Sequence, residues 1–301
     1  MEPNNRRVGL TAAATLLLVF VAASAAAQGR GNAIGKGRQT PPPTVAPTAG
    51  GASSGVINVG AREFGAWLDD ATLADPGSGW ASIGLARYFS PVGHQTDVPS
   101  FDGAVGWTRR VQLGMTVPYS RFSALDGATA SGRGDVYLTS KIALGDVRDR
   151  ARRRTFAITP LIEVLSNPDP LTGKRAFWAL PVSAETRAKS FRLYGSTGYF
   201  SRGVLFGGGA MEVPATERLV ATAALTWTRS LKQDVVADAM GLTAARVDFS
   251  GGAAYAWRPS VTIFGSLGRT LSKIDANSAT LALNTGLTFK FAAKTSKPIR
   301  P

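Results

Sequence analysis

The stretch Ser278-Ala279-Thr280-Leu281-Ala282-Leu283-Asn284-Thr285-Gly286-Leu287-Thr288-Phe289-Lys290-Phe291 decides how the rest of the chain is read. Successive side chains of a strand point to opposite faces. Ala279, Leu281, Leu283, Thr285, Leu287, Phe289 and Phe291 therefore share one face, and Ser278, Thr280, Ala282, Asn284, Gly286, Thr288 and Lys290 share the other. The first face is apolar and the second small or polar. The same alternation runs through 246–258 (Val247, Phe249, Gly251, Ala253, Tyr255, Trp257 against Arg246, Asp248, Ser250, Gly252, Ala254), 218–230 (Leu219, Ala221, Ala223, Leu225, Trp227 against Thr222, Ala224, Thr226, Thr228) and 111–120 (Val111, Leu113, Met115, Val117, Tyr119 against Gln112, Gly114, Thr116, Ser120). These runs are roughly twice the usual strand of about 5–6 residues and match the roughly 9–11 residues a tilted strand needs to cross a bilayer. A soluble sandwich uses shorter strands and buries its apolar face against a second sheet. The pattern points to an all-β fold, a transmembrane up-and-down antiparallel β-barrel over 78–291.

Counted along the chain, strands are expected near 79–90, 100–108, 111–122, 134–145, 154–165, 176–186, 189–201, 217–230, 233–240, 245–257, 260–271 and 278–291, about twelve, the even number that closed bacterial barrels use. Tight turns are expected at Thr108-Arg109-Arg110, Arg187-Ala188-Lys189, Leu231-Lys232-Gln233 and Arg258-Pro259-Ser260, and longer loops at 91–99, 123–133, 166–175 and 202–216. Short turns belong on the periplasmic side and long loops outside, which places both termini in the periplasm; Asp146 to Arg153 is a longer, very basic periplasmic connection. Tyr88, Phe89, Trp107, Tyr119, Tyr199, Phe200, Trp227, Tyr255, Trp257, Phe289 and Phe291 stand near strand ends, as interfacial aromatic girdles do.

The region before the barrel reads as export machinery and linker. Arg6 and Arg7 precede an apolar run through Leu16, Leu17, Leu18, Val19 and Phe20, and Ala25-Ala26-Ala27 precede Gln28, which makes 1–27 a signal peptide cleaved between Ala27 and Gln28. Residues 28–77 begin with a Pro/Gly/Ser-rich stretch (Pro41-Pro42-Pro43, Gly50-Gly51) that cannot pack a core. The more apolar part, 56–77, is open to reading as a short strand or as a plug. A basic tail, 292–301, follows the last strand. The destination is the bacterial outer membrane, with lipid and lipopolysaccharide, the assembly machinery and a small-molecule solute as partners.

Composition removes several classes. The 301 residues hold 34 Lys and Arg, 20 Asp and Glu, one His and no Cys, for a net charge of +14. Without Cys there is no disulfide framework and no thiolate metal site, and a lone His94 excludes any site that needs two imidazoles. No metal or cofactor is expected. The basic residues are scattered, and an exported chain rarely meets nucleic acid, so nucleic acid is not expected as a partner. Gly207-Gly208-Gly209 lacks a following Lys-Ser or Lys-Thr, so it is no phosphate loop and reads as a flexible external loop. Asn167-Pro168-Asp169-Pro170 reads as a turn. Ser90, His94 and Asp97 lie close in sequence in an expected external loop, but geometry rather than adjacency makes a triad, and no enzyme, an outer-membrane lipase included, is expected.

Three stretches carry a family resemblance: Gly106-Trp107-Thr108-Arg109-Arg110 through Pro118-Tyr119, Gly132-Arg133-Gly134-Asp135-Val136-Tyr137-Leu138-Thr139-Ser140-Lys141, and the strands from Phe249 to Phe291. Over about 78–291 they resemble the outer-membrane barrels associated with meta-pathway phenol degradation. The resemblance implies passage or binding of small, often aromatic, compounds. Those barrels commonly end at an aromatic residue; here Ala292 to Pro301 follows Phe291.

The inward ionisable residues are the site candidates: Lys141, Glu163, Glu185, Arg192, Arg246, Asp248 and Lys290, with Lys141, Glu185 and Arg192 toward the periplasmic half. They form either a charged constriction that selects solutes or an ion-pair network that fills a narrow lumen. Small inward residues (Gly252, Ala254, Ala256, Ala282, Gly286) favour an open channel, while inward Phe177, Tyr194, Phe200 and Phe264 favour a closed structural or surface-display barrel without transport activity. The sequence leaves both open.

Overall fold

The computed structural model describes residues 68–145, 154–168, 173–188, 190–231, 241–276 and 278–292. They form one antiparallel sheet of fourteen segments: β1 (Ser78–Ser90), β2 (Gly93–Gly106), β3 (Val111–Ala124), β4 (Thr129–Arg133), β5 (Val136–Leu144), β6 (Arg154–Ile158), β7 (Leu161–Val164), β8 (Ala176–Arg187), β9 (Arg192–Phe200), β10 (Val204–Pro214), β11 (Leu219–Ser230), β12 (Ala245–Arg258), β13 (Val261–Thr270) and β14 (Leu281–Ala292). The sheet closes on itself, because β1 pairs with β14 from Ser78 opposite Ala292 to Phe89 opposite Leu281. β4 and β5 are halves of one strand, both paired with β3. β6 and β7 are likewise halves of one strand, both paired with β5 and β8. The result is a closed twelve-stranded antiparallel barrel.

The alternation read in the sequence is the alternation of the wall. Ile83, Leu85, Phe101, Met115, Ile162, Trp178, Leu225, Tyr255, Trp257, Phe289 and Phe291 are exposed on the outside. Inside lie buried hydroxyl and small residues, among them Ser82, whose hydroxyl shares a hydrogen bond of 2.7 Å with that of Thr288 across the β1–β14 seam. An apolar exterior over a polar interior is the inverse of a soluble core and suits a hydrocarbon surround.

Several local expectations are corrected. Residues 202–216 are not a long loop: 204–214 are β10, paired along its length with β9 and β11. Its three glycines were read as flexible, but at Gly207 and Gly208 the Trp227 ring and Thr226 of β11 occupy the space that side chains would fill. The Trp227 indole lies 3.0 Å from where a Cβ on Gly207 would sit, and the Thr226 methyl lies 2.7 Å from that of Gly208. Residues 91–99 are mostly strand, since β2 begins at Gly93 and pairs with β1, with a bulge between Asp97 and Ser100 around Pro99. The loop expected at 123–133 shrinks to 125–128, because β3 and β4 extend into it. The tight turn expected at 231–233 falls, past Leu231, on residues outside those described; β11 pairs directly with β12. The strand expected at 233–240 and the basic connection 146–153 lie outside the described residues. Two girdle residues are misplaced: Tyr88 and Phe200 are buried inside the barrel, while Trp107, Tyr119, Trp227, Tyr255, Trp257, Phe289 and Phe291 are exposed.

Both ends of the barrel, Ser78 and Ala292, lie at one rim, beside the connections 107–110, 188–191, 215–218 and 259–260. The opposite rim carries 91–92, 125–128, 201–203, 241–244 and 271–276.

Leu225 lies near the middle of β11 on the outer face and Trp257 at the end of β12. Leu225→Arg is expected to destabilise the barrel by about 2–4 kcal/mol and Trp257→Arg by about 0–1 kcal/mol, the depth dependence of a lipid-facing cation. Urea unfolding in phospholipid vesicles measures both.

Candidate functional site

Odd-numbered positions of β5 and β8 and even-numbered positions of β9 and β10 face inward, which brings Lys141, Glu185, Arg192 and Glu212 to one region near the rim that holds the chain ends. Four charges cannot be left unpaired in a narrow, poorly hydrated space. Part of the compensation comes from the residues just before β1. Leu68 to Thr72 lie inside the barrel, and Leu68 packs against Tyr194, Ala210 and Ala224. Lys141 Nζ donates to Asp69 Oδ1 and Asp70 Oδ1, each at 2.7 Å, with all three side chains almost fully buried. Thr159, at the break between β6 and β7, donates to Asp69 Oδ2 at 2.9 Å, and the Asp69 amide donates to Ser196 Oγ at 3.0 Å.

Arg192 extends the network. Its guanidinium pairs with Asp70, donates to Glu185 Oε1 and Oε2 at 2.8 Å, and reaches Glu212 Oε2 at 3.1 Å. Glu185 also accepts from the Thr72 hydroxyl at 2.7 Å and from Arg187 at 2.6 Å. Farther along, the Ala74 amide donates to Gln112 Oε1 at 2.7 Å, and the Gly77 amide donates to Gly106 O at 2.9 Å. The segment thus crosses the lumen, tied to β2 and β3 at one end and to β5 and β8–β10 at the other. Paired carboxylates and cations with satisfied hydrogen bonds are the form in which buried charge is stable.

A second cluster fills the lumen toward the opposite rim. Tyr137, Leu161, Leu165, Phe177, Phe200, Val204 and Phe206 form a buried apolar group. Arg202 sits in the three-residue turn before β10, made possible by Gly203 at φ +92°. Its guanidinium lies 4.3 Å from the Phe177 ring centre and 5.5 Å from that of Phe200 and pairs with Glu163 at 3.2 Å. Tyr137 Oη donates to the other Glu163 oxygen at 3.0 Å.

Between these clusters and the other half of the wall lies a partly open cavity of about 60 Å³. It is lined from β1, β2, β3, β5, β13 and β14, near mid-height, by residues that include Gly84, Asp97, Asp102, Tyr137, Phe264 and Asn284. The Phe264 ring lies over Gly84 and Gly286, 2.7 Å from where a Cβ on Gly286 would sit. Small residues on β1 and β14 create this space. The β7–β10 side, with inward Phe177, Tyr194 and Phe200, is filled, and the hollow lies on the β13–β3 side, where Phe264 forms part of its wall over the small residues Gly84 and Gly286.

Of the residues singled out from the sequence, Lys141, Glu185 and Arg192 meet in one network. Glu163 belongs to the aromatic cluster at the other end. Arg246 and Asp248 pair with each other at 2.9 Å, and Asp248 accepts from Thr270 at 2.7 Å. Lys290 stands on the inner face at the rim, opposite Trp80 in the ladder, and is exposed. Asp69, Asp70, Thr72, Glu212 and Arg202 were not singled out. Glu212 and Arg202 were lost with the strand read as a loop. The adjacent acids Asp69-Asp70 beside Trp67-Leu68 were a visible signal without periodicity to place it. His94 faces outward beside Phe89 with ring centres 6.1 Å apart, while Asp97 is buried on the inner face, so the sheet itself separates the two members of any triad.

No family model matches the chain and no curated protein matches it. Solved structures do. A structure described as NanC porin superposes with TM-score 0.52 at 12% identity, covering 70% of this chain and 100% of its own. An outer membrane channel from Pseudomonas putida F1 superposes with TM-score 0.54 at 14% identity, covering 74% of this chain and 98% of its own. At such identities the likeness is one of fold. The chain has the fold of outer-membrane barrel channels.

Removing Lys141 leaves Asp69 and Asp70 facing each other without their shared cation. Lys141→Ala is expected to cost the docked segment about 3–5 kcal/mol, the usual penalty for a buried charge stripped of its partner. Limited proteolysis at 68–77 is expected to accelerate, while the heat-modifiable gel shift of the barrel keeps its midpoint, because the β-ladder does not pass through Lys141 Nζ.

Proposed function

We propose that this protein is a narrow outer-membrane channel for small solutes, aromatic ones included, constricted from one rim by residues 68–77. The observation that carries this reading is the lopsided lumen, with a cavity between β13, β14, β1, β2, β3 and β5 beside a filled half. Tyr88, Tyr137 and Phe264 give that hollow flat apolar surfaces, and Asn284, Ser82, Ser100 and Thr116 give it hydrogen-bonding groups. A path of this kind suits molecules of about one ring, such as phenols, whose flat face and polar edge both find partners. The exported N-terminus and the barrel ends at one rim support an orientation with both termini in the periplasm. The seven inward charges then act at fixed depths: Lys141, Glu185, Arg192 and Lys290 toward the periplasm, and Glu163, Arg246 and Asp248 toward the outside.

A second reading, a closed structural barrel without transport, draws support from the two clusters that fill the β7–β10 half. Conductance separates the two. The refolded mature protein in a planar bilayer is expected to give small unitary steps, and the same protein without residues 28–77 larger ones. Silence in both, with the barrel shown to be folded by its heat-modifiable mobility, would overturn the channel reading.

A further inference from the structure

The chain carries a net charge of +14, yet its lumen is not basic where it is hollow. The inward cations Lys141, Arg192, Arg202 and Arg246 are each committed to carboxylates. Among the twelve residues that line the cavity the charged ones are Asp97 and Asp102, both on β2 and both acidic. Asp97 is buried, and the hydrogen bonds it accepts come from neutral groups, Gln95 Nε2 at 2.9 Å and the Ser120 hydroxyl; no described cation lies within ion-pairing distance of it. Gln95 is 4% exposed, faces the lumen beside Asp97, and its Oε1 accepts no hydrogen bond. A buried carboxylate on the wall of a hollow, held by neutral donors alone, calls for a cationic donor from outside the protein.

We infer that the hollow is a site for small organic cations, amines or amidines attached to a single ring, whose N–H groups meet Asp97 while the ring lies against Tyr88, Tyr137 or Phe264. The inference rests on the channel reading above and names its solute class. The geometry matches the chemistry on both sides. An ammonium or amidinium donates several hydrogen bonds and accepts none, which suits a wall whose charged groups are both carboxylates. Aromatic faces attract the same cation through their ring quadrupoles. Carboxylates at the waist of a low-dielectric tube raise the local concentration of positive solutes and repel anions. The bulge at Asp97–Ser100 bears on this directly: it resets the side-chain alternation of β2, so that 95 and 97 before it and 100 and 102 after it all face inward.

The test is the reversal potential of the refolded mature protein in a planar bilayer under a KCl gradient, together with the entry rates of benzylammonium and benzoate into proteoliposomes. Wild type is expected to prefer K⁺ over Cl⁻ and to admit benzylammonium faster than benzoate. Asp97→Asn is expected to lower the K⁺ preference by roughly fivefold, the Boltzmann weight of one contact pair of charges in water, and Asp97→Asn with Asp102→Asn to abolish it. Asp102→Asn alone serves if the Asp97 variant fails the heat-modifiability check for folding. Anion preference in wild type, or steps whose selectivity neither variant moves, would overturn the cation site while leaving the channel standing. If wild type shows no steps and admits neither probe, the channel reading falls. Equilibrium dialysis of benzylammonium against the folded protein in detergent then decides the site: binding weakened by Asp97→Asn supports it, and no binding overturns it.

Discussion

A hydrocarbon surround offers no hydrogen-bond partner to the backbone, so every amide and carbonyl of a spanning chain must be satisfied within it. The seam between β1 and β14 is where this constraint is met, since pairing the first strand to the last removes both edges at once. The irregular points of the wall follow the same rule. The break between β4 and β5 holds Asp135, which accepts from the Ser166 amide at 2.8 Å, and the break between β6 and β7 holds Thr159, which donates to Asp69. Where the ladder is interrupted, side chains and neighbouring strands take up the freed groups, and the interruption is used to place a polar atom.

Closure creates an interior, and the interior sets the second constraint. Twelve strands leave too little room for charges to be fully hydrated, so they are paired within the lumen. The pairing is organised as two separated clusters. One joins a segment from outside the ladder to the wall through Lys141 and Arg192; the other folds Arg202 back over two rings onto Glu163. Both sit toward the β7–β10 half. What remains on the other side is lined by small residues, three aromatic rings and acceptors, and its character follows as much from where the cations are committed as from what lines it.

Most of the barrel was legible because its period is two and its strands are long. Parity alone put Lys141, Glu163, Glu185 and Arg192 on the inner face. The failures have local causes. Gly207-Gly208-Gly209 looks like a loop because a strand's signal resides in side chains, and here Trp227 and Thr226 of β11, at other positions in the sequence, supply the packing. Gly93 and Pro99 hid the first half of β2 for a similar reason, and the bulge that accommodates Pro99 breaks the period on which the reading relied. The expected number of strands came out right although one strand was missed, so the count was a weaker guide than the register. The partners of Lys141 were hidden by distance: Asp69 and Asp70 lie 72 and 71 residues away, in a segment with no periodicity. Long-range ion pairs leave no mark on the pattern of either element they join.

The segment before β1 has a mechanical consequence. In a ring of twelve strands, β9 stands opposite β1. The segment is rooted beside β1, where Gly77 bonds Gly106 and Pro76 bridges to it, and its far end is fastened to β9 through Arg192 and Ser196. It is a tie-rod across a diameter. A closed sheet resists stretching along its hydrogen bonds but yields readily to flattening, because flattening only changes the angles between neighbouring strands. A rod from one side to the other removes that soft mode near its rim and holds the cross-section to one width. Lateral pressure from the bilayer is then carried partly by two carboxylates and a lysine, and the hollow beside them keeps a fixed bore while the lipid around it fluctuates.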